Sequence, residues 1–167
     1  TQGPKVKAFE KAYAEYTETK YAISTNSCTS ALEIVLASIE IEKGDEVIVP
    51  SQTFIATGSS IIKTGGDVIF CDTNDDFLID FDDLKRKITR KTKAVIIVHF
   101  CGLIHNEIFK IKSYLKNKNI FLIEDNAHAS GAKINDSMSG SIGDFGCHSF
   151  FSSKIITTGE GGMITTN

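Results

Sequence analysis

Lys154 sits among residues that rarely surround a lysine. It closes the run Cys147-His148-Ser149-Phe150-Phe151-Ser152-Ser153-Lys154, and the glycine-rich stretch Gly159-Glu160-Gly161-Gly162 follows shortly after. Most surface lysines lie on helix faces among other charges. This one has hydroxyls and apolar residues around it, in a segment that reads as strand, loop, strand. Desolvation disfavours an ammonium, and a neutral amine is what Schiff-base chemistry requires. Lys154 is therefore a candidate for bonding a carbonyl cofactor.

Other residues bear on that idea. Asp125 follows the apolar run Ile120-Phe121-Leu122-Ile123 and stands beside Glu124. Its ordinary reading is a helix cap or a solvated strand end. Its chemical reading is an acid that keeps a ring nitrogen protonated, as pyridoxal phosphate needs to act as an electron sink. Ser27-Cys28-Thr29-Ser30 opens an apolar helix. Capping explains it, and so does anion binding, because free N–H groups and the helix dipole favour a phosphate there. Ser149, five positions before Lys154, offers a hydroxyl to the same phosphate. Phe54, just after Pro50, reads as core or as a platform that stacks on a ring. His128 and His99 read as hydrogen-bonded structural histidines, and Cys28, where a helix start can lower a thiol pKa, as a small residue in a tight turn. The aspartates Asp72, Asp75, Asp76, Asp80, Asp82 and Asp83 lack the glycine and distal glutamate of an EF-hand and read as a solvated acidic surface.

These residues need elements to position them. Apolar residues recur at helical spacing over 6–16, after the start signal Gly3-Pro4. Further helices are expected over 31–39, 53–64 (ending at Gly65-Gly66), 81–88 and 107–115. Short apolar runs at 21–24, 47–49, 68–70, 94–98 and 120–123 read as strands, several of them apolar on both faces. Strands alternating with helices in this way predict an α/β fold, a mostly parallel sheet in a three-layer α/β/α arrangement. In such folds ligands gather outside the carboxyl ends of the strands. Ser27 to Thr29, Phe54, Asp72, His99, Asp125 and His128 all fall just after a strand.

Composition removes other classes. Lys and Arg total 18 against 21 Asp and Glu, a net charge of −3 that offers nucleic acid no basic footprint. No run approaches the ~18 apolar residues of a membrane span, and no signal-peptide pattern is present. The four cysteines are dispersed without a C-x-x-C pair, which argues against a disulfide scaffold or zinc site and for reduced thiols in the cytoplasm. The start, Thr1-Gln2-Gly3-Pro4, reads as the middle of something longer.

The order of these motifs resembles the DegT/StrS-type sugar aminotransferases. The resemblance runs through Gly3-Pro4 with Phe9-Glu10, Ser27 to Leu32, Gly44-Asp45-Glu46-Val47-Ile48-Val49-Pro50 with Thr53-Phe54, Glu124-Asp125-Asn126-Ala127-His128-Ala129-Ser130-Gly131-Ala132, and Gly143-Asp144 through Lys154 to Gly162. It implies the large domain of a fold-type I pyridoxal phosphate enzyme over 1–167, with the family's small C-terminal domain absent. It implies that Lys154 bonds the cofactor aldehyde and shuttles protons, and that Asp125 pairs with the pyridine nitrogen. Ser149, with Ser27 and the Cys28-Thr29 backbone, would hold the phosphate. Phe54 would stack on the ring and His128 would lie near the ring oxygen. The implied function is transfer of an amino group from an amino acid, glutamate being expected, to a keto group of a nucleotide-linked sugar. The setting would be aminosugar, lipopolysaccharide or O-antigen biosynthesis, in a cytoplasmic homodimer with its active site at the interface. Two departures stand out: Cys28 replaces a usual Gly or Ala, and Asn126 a usual Ala or Cys. A dehydratase branch of the family carries histidine in place of the lysine, so Lys154 points to transamination. A dehydratase-type enzyme and a non-catalytic or regulatory homologue on the same fold are the alternatives.

Overall fold

Strand alternation decides which side chains meet which helices. The computed structural model describes residues 3–167, so Thr1 and Gln2, on which the reading of the start as mid-chain partly rests, lie outside the described residues. In chain order the elements are α1 (Pro4–Thr17), β1 (Tyr21–Thr25), α2 (Cys28–Ser38), β2 (Glu46–Pro50), α3 (Ile55–Thr64), β3 (Asp67–Cys71), α4 (Phe81–Lys87), β4 (Thr92–Val98), α5 (Ile108–Lys116), β5 (Phe121–Asp125), β6 (Lys133–Ile134), β7 (Ser137–Met138), β8 (Phe145–Ser149) and β9 (Gly162–Thr166). Seven strands form one sheet in the order β1-β9-β8-β5-β4-β2-β3. The pairs from β3 to β8 are parallel, and β9 runs antiparallel to both of its neighbours. The expected mostly parallel α/β sheet is present.

Side chains alternate across the sheet with period two. Val47, Val49, Ala94, Ile96 and Ile123 face one way, into a core with Leu32, Val35 and Leu36 of α2 and Ile61 of α3. Ile48, Val95, Ile97 and Leu122 face the other way, into a core with Leu84 of α4 and Ile108, Ile111 and Leu115 of α5. Strands buried on both faces explain why β4 and β5 are unbroken apolar runs. The two cores make the three layers. A third cluster packs Tyr13 of α1 against Ala22, Phe150 and Met163.

Local chemistry sets the element boundaries. Pro4 lies in the first turn of α1, where its missing N–H costs nothing. Ser27 caps α2 by accepting the Ser30 N–H at 3.1 Å, and Asp80 caps α4 by accepting that of Asp83 at 2.6 Å. Pro50 is tolerated in a central strand because pairing of β2 with β4 runs only from Glu46 to Ile48. Gly65 ends α3 at a φ of 94°, a left-handed conformation that favours glycine. The segment beyond Gly131 contains a hairpin, β6 and β7. Its two turn residues, Asn135 and Asp136, both have positive φ, the geometry of a two-residue type I′ turn.

The acidic stretch after β3 is structural, and one member of the expected solvated surface, Asp83, is buried. Asp83 accepts the Asp72 N–H at 2.9 Å and Arg86 at 3.0 Å, and Asp82 pairs with Lys85. Among the described residues no cluster of acids, histidines or cysteines is arranged to hold a metal ion, and no helix is long and apolar enough to cross a membrane.

Candidate active site

The carboxyl ends of β1, β2, β4, β5 and β8 lie at one edge of the sheet. Register places Gly162, the first residue of β9, opposite both Thr25 and Ser149, so the turn after Lys154 returns to the same edge. A cleft of about 640 Å³ opens there. Ser27, Cys28, Thr29, Phe54, Asp125, His128, Ser149 and Lys154 all line it.

One end of the cleft is the start of α2. The first-turn N–H groups of a helix have no intrahelical acceptor, and the Ser27 side chain closes only that of Ser30. This leaves the Cys28 and Thr29 amides, with the positive end of the helix dipole, beside buried Ser149. Gly162 is required behind them: a Cβ on it would stand 2.5 Å from the Ser27 carbonyl oxygen.

The floor is Asp125. As the last residue of β5 it points to the same side as Ile123, toward α2, while Glu124 points to the opposite side. Asp125 Oδ2 accepts the Thr57 hydroxyl at 2.9 Å and Oδ1 accepts the Ala127 N–H at 3.2 Å. Burial pushes the carboxyl up from its ordinary value, opposed by the Thr57 and Ala127 hydrogen bonds. Cys28 Sγ lies 3.9 Å from Oδ1. Burial, then the neighbouring Asp125, push that thiol well up, so the lowered thiol pKa conceivable at a helix start does not occur.

The walls are Phe54 and His128. Phe54 is 71% exposed, which removes its core reading and leaves an aromatic face free to stack. His128 is half-buried, and burial, followed by the charge of Lys154, pushes its ring down from the ordinary histidine value. Lys154 forms no ion pair among the described residues. It is half-buried rather than enclosed, with Ser153 and Ile155 exposed on either side. The desolvating surroundings expected from its sequence neighbours are not supplied by this chain.

Two networks behind the cleft escape sequence reasoning. Glu124 is fully buried. It accepts His99 Nε2 at 2.7 Å, the Gly140 N–H at 2.9 Å and the N–H groups of Ile142 and Gly143 at 2.7 and 2.5 Å. Burial pushes its carboxyl up, but these donors outweigh burial and hold it below the usual value. His99 is thus the structural histidine expected. His148, also fully buried, has Nδ1 at 2.9 Å from both Tyr13 Oη and Asn126 Nδ2, and Nε2 at 2.9 Å from Thr165 Oγ1. Thr165 donates its own proton to the Gly140 carbonyl, so His148 Nε2 carries the hydrogen and Nδ1 accepts. Paired acids ending an apolar strand were the readable signal for the first network, since alternation must bury one of them on each face. No sequence signal joins Tyr13, Asn126, His148 and Thr165.

A parallel α/β sheet whose strand ends converge on a helix N-terminus, a buried carboxylate, an exposed aromatic and an unpaired lysine defines a domain for a phosphate-bearing, nitrogen-containing ring. The chain belongs to the DegT/DnrJ/EryC1/StrS aminotransferase family, whose model matches residues 1–167. It is 41% identical over 169 residues to a GDP-perosamine synthase of Escherichia coli O157:H7, covering 100% of this chain and 46% of that protein. It superposes with a TM-score of 0.95 on an aminotransferase from Psychrobacter cryohalolentis, at 39% identity over 99% of this chain and 42% of that one. A Streptococcus pneumoniae protein assigned as a sugar aminotransferase, in its PLP form, matches with a TM-score of 0.93 at 37% identity, over 100% of this chain and 46% of that one. The chain spans less than half the length of the relatives it matches.

Proposed function

We propose that this chain is the cofactor-binding large domain of a pyridoxal phosphate-dependent aminotransferase that moves an amino group from an amino acid, glutamate being the expected donor, to a keto group of a nucleotide-linked sugar. The observation that carries the reading is the convergence of buried Asp125, the open N-terminus of α2 and unpaired Lys154 on one cleft. Such a donor set matches one molecule in its parts: a phosphate, an aromatic ring with a basic nitrogen, and an aldehyde.

When bound, pyridoxal phosphate supplies an aldehyde that bonds amines and a ring that draws electrons from the attached carbon. The Cys28 and Thr29 amides, with the Ser27 and Ser149 hydroxyls, would bind the phosphate. Phe54 would cover one ring face. Asp125 would hold the proton at the ring nitrogen, and its burial strengthens that charge-assisted bond. His128 would donate to or accept from the ring oxygen. Lys154 would bond the aldehyde through Nζ and, once displaced by the amino donor, move the proton of the donor's α-carbon on that same atom.

Exposed Phe54 and Phe151 form an apolar rim at the cleft, and exposed Ile155 follows Lys154. That rim supports a homodimer with a partner subunit closing the site, which would also supply the burial that Lys154 lacks here. The GDP-perosamine synthase relative supports a nucleotide-linked sugar as acceptor, and a Bacillus subtilis relative named as a spore coat polysaccharide biosynthesis protein, 42% identical over 168 residues, supports a role in surface polysaccharide synthesis. Four unpaired cysteines suit a cytoplasmic protein. Dehydration of a keto sugar is less well supported, because lysine stands at position 154.

The test is spectroscopic. Full-length protein with pyridoxal phosphate should absorb in the visible, borohydride should fix the cofactor to Lys154, and Lys154→Ala should abolish the adduct. Glutamate should then bleach the visible band and release 2-oxoglutarate. A reducible adduct in Lys154→Ala, or no conversion with any amino acid, overturns the reading.

A further inference from the structure

Thr57 does not line the cleft, yet it is the side chain that holds Asp125. It lies in the first turn of α3, is fully buried, and places Oγ1 2.9 Å from Asp125 Oδ2. Its oxygen is also 2.8 Å from Thr53 Oγ1, and Thr53 does line the cleft, one residue before Phe54. A carboxylate has no proton to give. The Thr57 hydroxyl must therefore donate to Asp125 and accept from Thr53, which fixes the direction of both bonds.

We propose that the Thr53–Thr57 hydroxyl chain is a positioning device for Asp125. It locks the carboxylate in one rotamer, gives its charge a dedicated donor, and ties that charge to the loop carrying Phe54. The inference rests on the reading of Asp125 as the partner of a ring nitrogen.

The surroundings leave this task to Thr57. Facing Asp125 are the Cys28 thiol from α2, Cys147 from β8 and His128 after β5, with Lys154 lining the same cleft and His99 near by on the Glu124 side. Both thiols are pushed well up by burial and so stay protonated. His99 is already committed to Glu124. The Ala127 amide serves Oδ1 at 3.2 Å, and Thr57 alone among the described side chains places a hydroxyl on Oδ2. The carboxylate also lies at the N-terminal turn of α3, where the helix dipole favours a negative charge. Burial favours the neutral form of Asp125, and a neutral acid is a poor partner for a pyridinium. The chain of hydroxyls opposes that tendency. It also links two parts of the site: movement of the Phe54 loop pulls on Thr53, and through it on the bond that holds Asp125.

The test compares Thr57→Val, which removes the hydroxyl with little change of shape, with Thr57→Ser, which keeps it, and with Thr53→Val, which removes only the outer link. Two quantities are measured in the full-length protein. One is the titration of the Asp125 carboxyl without cofactor, by 13C NMR, assigned with Asp125→Asn. The other is the dissociation constant for pyridoxal phosphate. Thr57→Val should raise the Asp125 midpoint by about one unit and weaken cofactor binding about tenfold. Thr57→Ser should restore both to within about threefold, and Thr53→Val should fall between. An Asp125 midpoint unmoved by Thr57→Val overturns the proposal, even if thermal stability falls. The first measurement needs no cofactor, so a wild-type protein that fails to bind pyridoxal phosphate sinks the cofactor reading and leaves the hydroxyl chain still decided by the NMR titration.

Discussion

Glu124 and Asp125 are consecutive residues at the end of β5, and the fold drives their carboxyls in opposite directions. Glu124 meets four donors and is held below the ordinary carboxylate value, while Asp125, with fewer donors in an equally buried place, is pushed above it. Strand alternation is the cause. One side chain enters the layer where the Gly140–Gly143 backbone turns its amides inward, and the other enters the cleft. A single dipeptide thus supplies a structural anchor and a group left open to a ligand.

The anchor can be tested by removing its charge. Glu124→Gln keeps the shape but replaces one acceptor oxygen by an NH2 group, which must face either the Ile142 and Gly143 amides or His99 and the Gly140 amide. Leaving buried donors facing another donor costs about 3 kcal/mol, with loss of order in the segment that leads into β8. Urea unfolding of the variant should show that fall. A change under ~0.5 kcal/mol would mean that the amides find other partners.

Much of this architecture was legible in the sequence, for a stated reason. Buried parallel strands must be apolar on both faces, so β4 and β5 could be read directly, and helix starts such as Gly3-Pro4 and Asp80 carried their own signals. Ser27, Phe54, Asp125, Ser149 and Lys154 could be gathered because strand ends share one edge of a parallel sheet. Three things stayed out of reach. The environment of Lys154 is set by exposure in three dimensions: Phe151 and Ile155 beside it are exposed, and buried Phe150 packs against Tyr13 instead. The Thr57–Asp125 bond joins residues 68 positions apart, with no local pattern to announce it. The β6–β7 hairpin stays hidden because its strands, two residues each, are too short to show an alternation, whatever its Asn135-Asp136 turn suggests.

His148 gives a pH prediction. Burial pushes its ring down to about 4 from an ordinary 6.5. Between those values the unfolded chain binds a proton and the folded chain does not, so stability rises with pH across that window. The contribution of His148 is complete above about pH 6.5 and lost as pH falls toward 4, a change on the order of 3 kcal/mol. His105 and His128 shift in the same direction and steepen the slope. NMR of the imidazole should show the neutral Nε2–H form of His148 unchanged from pH 7.5 down to 5. A ring that titrates near 6.5 would mean that the Tyr13–Asn126–Thr165 cage opens readily.

Phe54 separates stability from binding. At 71% exposed it buries little, so Phe54→Ala should alter unfolding free energy by less than about 0.5 kcal/mol. Stacking of a ring on an aromatic face contributes about 0.5–1.5 kcal/mol, so the same variant should bind pyridoxal phosphate about three- to tenfold more weakly. Phe54→Tyr, which keeps the face, should bind as the parent does. The comparison is made by cofactor titration alongside urea unfolding of the same samples. Equal losses in both measurements would place Phe54 in the packing of the α3 entrance and remove it from the ring site. A loss confined to binding is what an exposed platform requires, because its area is covered only when the ligand arrives.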